Sequence, residues 1–95
     1  MDSNLFVMLM EIRHPVSMDV VARHVEHLKM LDKAGSLVMC GPFLDNSGGM
    51  VVLQTATREE ADAIALSDPF IAEGYKTYEL HTWQVADADN RWLLD

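Results

Sequence analysis

Two histidines three residues apart, His24 and His27, are the side chains in this sequence best suited to moving a proton. Imidazole titrates near neutrality, so it serves as a general base or acid under ordinary conditions. Both lie in the stretch from Arg23 to Gly35, RHVEHLKMLDKAG. Projected at ~100° per residue, Val21, His24, Val25, Leu28 and Leu31 fall on one face of a helix. His24 lies between Leu28 and Leu31 in that projection, and His27 lies at the edge of the stripe beside Val20. Arg23, Glu26, Lys29 and Met30 point elsewhere. A helix turns an ionisable ring inward either for packing, with an ordinary hydrogen bond to hold it, or for chemistry. Periodicity leaves both open.

Other chemistries find less support. Two helical histidines and a carboxylate would begin a divalent-metal site, but no HExxH spacing is present, and no metal is expected. His14 and His81 read as a loop residue and a strand residue. Asp45 to Gly49 is glycine-rich, yet it lacks the GK[ST] ending of a phosphate loop and reads as a turn. No serine or cysteine stands in a recognisable nucleophile setting. Cys40 falls in an apolar run and is expected to be a small buried side chain. As the single cysteine, it excludes an internal disulfide and a cysteine-only metal cage. The methionines read as core filler. Asp68, directly before Pro69, reads as a helix N-cap.

Composition narrows the class. Ninety-five residues make one small domain, residues 1–95. Its hydrophobic fraction of 49% allows a real core, and a domain of this size is readily stabilised by association. The formal net charge of −8 argues against nucleic acid or an anionic membrane as partner. No apolar run approaches the roughly 20 residues of a membrane span. The start, MDSN, is polar and acidic rather than a signal peptide. These features predict a cytoplasmic protein.

The elements that must position the histidines follow from the same sequence. Leu5 to Ile12 is a short apolar run without alternation, which predicts a strand covered on both faces. Ser17 is an N-cap with Asp19 in the first turn. The helix then runs to about Ala34, and Gly35 ends it. Leu37 to Cys40 is a second strand, broken by Gly41-Pro42. Met50 to Leu53 is a third, paired antiparallel with the second. Thr57 to Glu60 forms a capping box for a helix to about Leu66, with Ala61, Ile64 and Ala65 inward. A short turn from Pro69 ends at Gly74. Tyr75 to Val85 is the fourth strand. Tyr78 and Leu80 share one of its faces and Trp83 and Val85 the other, which suggests a bulge. In the tail, residues 86–95, the Trp92-Leu93-Leu94 cluster is expected to pack on the body or on a partner.

The order βαββαβ predicts an α+β, ferredoxin-like sandwich. Two helices cover one face of its sheet, yet strands 1, 2 and 3 look apolar on both. A second copy is expected to cover the other face, as a homodimer.

At this point the chain resembles the YciI-like (YCII-related) proteins. Their pattern is a helix with H-L-x-x-L, a glycine eleven residues after the histidine, and a strand ending in Gly-Pro. Asp-Pro-Phe or Asp-Pro-Tyr, a glycine, and a last strand ending near Pro-Trp follow. Here His24, Leu28, Gly35, Gly41-Pro42, Asp68-Pro69-Phe70, Gly74 and Trp83 stand in register, over about residues 4 to 85. Val25 replaces the leucine next to the histidine, and Thr82 stands where proline often precedes the tryptophan. The spacing to Gly35 identifies His24, not His27, as the family's histidine.

The resemblance implies a dimeric α/β barrel with a His-Asp pair in its cleft, here His24 and Asp68. One kind of family member is a dehydrochlorinase acting on chlorinated hydroxyhydroquinone in aromatic degradation. The related barrel of muconolactone isomerases also moves protons on small rings. The expected function is therefore that of a small cofactor-free lyase or isomerase acting on a cyclic or phenolic substrate, with His24 as base and Asp68 as orienter. The alternatives are a non-catalytic ligand-binding or accessory domain and a monooxygenase of the dimeric-barrel class.

Overall fold

The apolar run near the start becomes β1 (Asn4–Ile12), the third strand in a four-stranded sheet of order β2-β3-β1-β4. The structure, a computed structural model, describes residues 4–94; the polar start, Met1 to Ser3, and the last tail residue, Asp95, lie outside the described residues. Around β1 the chain sets α1 (Met18–Lys33), β2 (Leu37–Pro42), β3 (Gly49–Leu53), α2 (Arg58–Ser67), α3 (Pro69–Ala72) and β4 (Lys76–Gln84). β1 pairs antiparallel with β3 and β4, and β2 pairs antiparallel with β3. This is the ferredoxin-like α+β arrangement expected from the order of elements.

Local chemistry sets the helix ends. The Ser17 hydroxyl accepts from the Val20 amide at 3.2 Å, and Gly35, at φ 81°, turns the chain out of α1. The Thr57 hydroxyl accepts from the Glu60 amide at 3.1 Å, while the Glu60 carboxylate accepts from Ala56 at 3.3 Å. The capping box thus closes one residue earlier than its usual reciprocal form.

All three helices lie on one side of the sheet. Phe6, Met8 and Met10 of β1 and Val51 and Leu53 of β3 meet Val20, Ala61, Ala65 and Phe70 from the helices. The alternate residues Leu5, Val7 and Leu9 of β1 face the other way, beside Val52, Met50 and, on β4, Trp83. Trp83 is 49% exposed there and Met39 of β2 61%. The doubly apolar strands therefore leave one apolar face open in a single chain.

Three expectations are corrected, and that for the tail, packing on the body or on a partner, is narrowed to the partner. Cys40 is exposed, because β2 is an edge strand flanked only by β3. β2 also continues through Gly41 and Pro42, with Pro42 opposite Gly49. At the end of an edge strand a proline's missing amide removes no ladder bond. β4 carries no bulge: its register runs unbroken from Lys76 opposite Ile12 to Gln84 opposite Asn4. The apolar character of its inner face simply stops at Thr82, where Arg58 reaches over to the Thr82 hydroxyl (3.1 Å) and the Leu80 carbonyl (2.8 Å). The bulge lies in β2, between Leu37 and Met39. Lastly, the tail forms a local turn tied by paired Asp87–Asn90 hydrogen bonds and by Asn90 donating to the Val85 carbonyl at 2.6 Å. Trp92 and Leu94, 67% and 75% exposed, do not pack on their own body.

Candidate functional site

The site forms where α1 meets α3. The helical phase of α1 directs His24 towards the short turn that Pro69 begins. Asp68 caps that turn: its Oδ1 accepts from the Phe70 amide at 2.9 Å. The same carboxylate meets His24, with both oxygens 2.9 Å from Nδ1. Cap and partner roles therefore coexist on one carboxylate, which has acceptor sites enough for both. Asp68 is 1% exposed, the one buried charged residue among those described. Burying it is tolerable because each oxygen is hydrogen-bonded.

The contact with Asp68 fixes the tautomer of the neutral ring. A carboxylate accepts, so Nδ1 carries the hydrogen, and in the neutral ring Nε2 then keeps its lone pair. No described residue hydrogen-bonds Nε2, and no buried side-chain nitrogen or oxygen among the described residues lacks a partner. Nε2 is therefore open to the space outside. That space is a cleft of ≈ 470 Å³ with a mostly apolar wall, including Val21, Leu28, Met50 and Val51. The Phe70 ring stacks on His24, with centroids 4.0 Å apart and planes at 20°. A ring fixed by a buried carboxylate and an aromatic stack is held in a single orientation, with one free basic nitrogen facing an apolar space.

A second contact ties the two helices. Arg23, one residue before His24, forks onto both oxygens of Glu73, with Nη2 to Oε1 at 3.0 Å. The guanidinium holds the Glu73 carboxyl below the usual carboxylate range. The pair is exposed, so its energetic worth is small; its geometric effect is to keep α3, and with it Asp68, against α1.

His27 takes no part in this pair. It is half-buried, and burial chiefly disfavours its charged form, with the Asp68 charge partly opposing. The group's proton affinity is thus lowered on folding, from its ordinary 6.5. As pH falls below about 6.5, the unfolded chain binds a proton at His27 that the folded chain refuses, so stability drops in that window. The His27 contribution to Tm should therefore shrink as pH drops below about 6.5, and His27→Gln should show a smaller acid-side loss of Tm than wild type. Identical pH profiles of Tm in the two proteins would refute the burial argument. No group of three or more histidine, cysteine or carboxylate side chains among the described residues is placed to hold a metal, so His24 and His27 do not begin a larger ligand set.

Three cleft residues escaped the sequence reading. Phe70 stood out only as part of Asp-Pro-Phe, although its place two residues after the cap already put it beside the aspartate. Lys76 lines the cleft with its Nζ 4.2 Å from the Phe70 ring centroid. Its signal was phase: it shares the inward face of β4 with Tyr78 and Leu80. Cys40 also lines the cleft, from the exposed edge of β2.

Comparison with known proteins places this geometry among relatives. A family model described as the YCII-related domain matches residues 5–84. The uncharacterized protein YjpA of Bacillus subtilis (strain 168) is 32% identical over 80 residues, which is 84% of this chain and 94% of that one. A solved structure of 5-chloro-2-hydroxyhydroquinone dehydrochlorinase (TftG) from Burkholderia phenoliruptrix, in complex with 2,5-dihydroxybenzoquinone, superimposes with a TM-score of 0.66. It is 21% identical, over 90% of this chain and 97% of the other. At that identity the likeness speaks for the fold.

Proposed function

This chain belongs to the YCII-related domain family, and from that premise we propose that it is a small lyase or isomerase that moves a proton on a cyclic or phenolic substrate. The observation that carries the reading is the His24 ring, held by Asp68 through Nδ1 with Nε2 open to an apolar cleft. Nε2 is the base, and Asp68 fixes the tautomer and stabilises the imidazolium that forms. The apolar wall suits a flat ring with few charges. Dehydrochlorination of a chlorinated hydroxyhydroquinone, as the name of the structural relative describes for that protein, is the reaction we put first. One hydroxyl proton moves to the chlorine-bearing ring carbon, giving a keto tautomer. The base then takes a proton from a second hydroxyl, and the electron pair passes through the ring to expel chloride, leaving a hydroxybenzoquinone and HCl. In this reading the protein works in the cytoplasm, within aromatic degradation, and without a bound cofactor. The test is to incubate the purified protein with chlorinated hydroxyhydroquinone and other small phenols, and to follow chloride and ring absorbance. Release of chloride, or isomerisation of one of the phenols, supports the proposal. Tight binding with no turnover of any of them would make the domain a ligand-binding module instead.

We propose further that the working form is a homodimer closed through the open sheet face. Leu5, Val7 and Leu9 with Met50 and Trp83 form an apolar surface that a second copy would bury, and the exposed Trp92 and Leu94 extend it. No helix among the described residues is long and apolar enough to cross a membrane. Sedimentation at micromolar concentration should give a dimer. Val7→Asp, at the centre of the face, should shift it towards monomer, and removing residues 87–95 should weaken association or lower Tm. A wild-type monomer at every concentration would contradict the dimer.

A further inference from the structure

Lys76 is a cation with no direct ion-pair partner among the described residues, at the edge of an apolar cleft. It opens β4 opposite Ile12, on the inward face of the sheet. Among the described residues its ammonium makes no ion pair and no hydrogen bond. Its Nζ lies over the face of Phe70, 4.2 Å from the centroid of the ring that also stacks on His24. Asp68 attracts it only at longer range, from a carboxylate already committed to His24 and Phe70. A lysine that merely covers apolar surface reaches past it into water and keeps its ordinary proton affinity. Here burial holds the amine's affinity below that, with Asp68 opposing. The chain carries fifteen carboxylates against seven lysines and arginines, so an unpaired lysine in a pocket is not a shortage of surface acids. A half-desolvated ammonium over an aromatic face has strong attraction to spare for an anion placed beside it.

We infer that Lys76 is the charge-selecting residue of the cleft: its ammonium pairs with a phenolate oxygen of the ligand while the rest of the ring lies along the apolar wall by His24. The assignment rests on the phenolic reading proposed above, but it concerns binding and can be read without turnover. The ligand enters ionised at one hydroxyl, that proton left with solvent, while a second hydroxyl keeps its proton for His24. Lys76 then keeps the charge on the ring, so that His24 faces an electron-rich ring rather than a neutral phenol.

The experiment uses 4-nitrophenol, whose phenolate absorbs in the visible, added to excess full-length protein at a pH near the phenol's own midpoint. With wild type, the bound dye should be more ionised than free dye. With Lys76→Met, which keeps length and loses charge, bound dye should be less ionised than free dye. Phenolate affinity should also fall by about 10- to 100-fold, the worth of one charge-assisted hydrogen bond. Lys76→Arg should retain the wild-type sign. His24→Asn should retain it too, which excludes His24 as the source of the ionisation. Lys76→Gln repeats the test should the methionine variant not fold. Bound dye equally ionised in wild type and Lys76→Met, or no binding by wild type, overturns the inference. Charge selection lost in Lys76→Met beside a wild type that turns over no phenol would sustain the inference while removing the enzymatic reading. Turnover by wild type with charge selection unchanged in Lys76→Met would do the reverse.

Discussion

His24→Asn is expected to lower turnover by about 10²- to 10⁴-fold, the usual worth of a general base, while ligand affinity changes little. The asparagine is polar and smaller, and it can still face the Asp68 carboxylate with its amide, so the fold should survive. What disappears is the lone pair on Nε2, which acts on the proton in flight rather than on the resting ligand. The loss should therefore appear in kcat and in kcat/KM together. His27→Asn, on the next part of the same helix, should leave activity near wild type, because nothing directs its ring into the cleft. Equal damage from both substitutions would point to a role the two rings share, such as a metal. A His24→Asn protein as active as wild type would end the base assignment.

Asp68→Ala should unfold the protein at markedly lower temperature. The side chain is fully buried and accepts from both the Phe70 amide and the His24 ring. Removing it leaves both donors without their acceptor, each worth about 1–3 kcal/mol, and leaves a small cavity besides. A combined loss of roughly 2–6 kcal/mol would lower Tm by about 10–30 °C in a domain of this size. Asp68→Asn separates the two roles. Its carbonyl oxygen can still cap the turn at Phe70, so Tm should fall less. It cannot offer two acceptor oxygens to His24 Nδ1 or balance an imidazolium, so turnover should still drop, though less than in His24→Asn. Thermal melts and rates on the same preparations decide this. Asp68→Ala as stable as wild type would mean that the buried hydrogen bonds are not what holds α3 to α1.

What could be read in advance was what neighbouring residues decide among themselves. Ser17 and Gly35 bound α1 because a hydroxyl and a left-handed glycine act within one turn. Thr57 and Glu60 start α2 by the same kind of short-range chemistry. The inward turn of His24 was likewise legible, since it depends on helical phase alone. Its meeting with Asp68 was not: forty-four residues separate the two, and only the likeness to a family named the pair beforehand. Cys40 was misjudged because its apolar neighbours say nothing of strand order, and strand order makes β2 an edge. Trp83 suggested a bulge because the inner face of β4 runs out of apolar residues one position earlier. Lys76 was overlooked because lysine reads as solvent-facing by type, while the phase of β4 turns it inward.

The nitrogen resonances of the His24 ring test the central claim most directly, because the claim is that Asp68 holds one tautomer and leaves Nε2 free. In isotope-labelled protein above the ring's titration range, Nδ1 should show the shift of a protonated nitrogen and Nε2 that of a bare one. Asp68→Asn should collapse that difference towards the average of exchanging tautomers. A ring protonated on Nε2, or tautomers averaging freely in the wild type, would contradict the account.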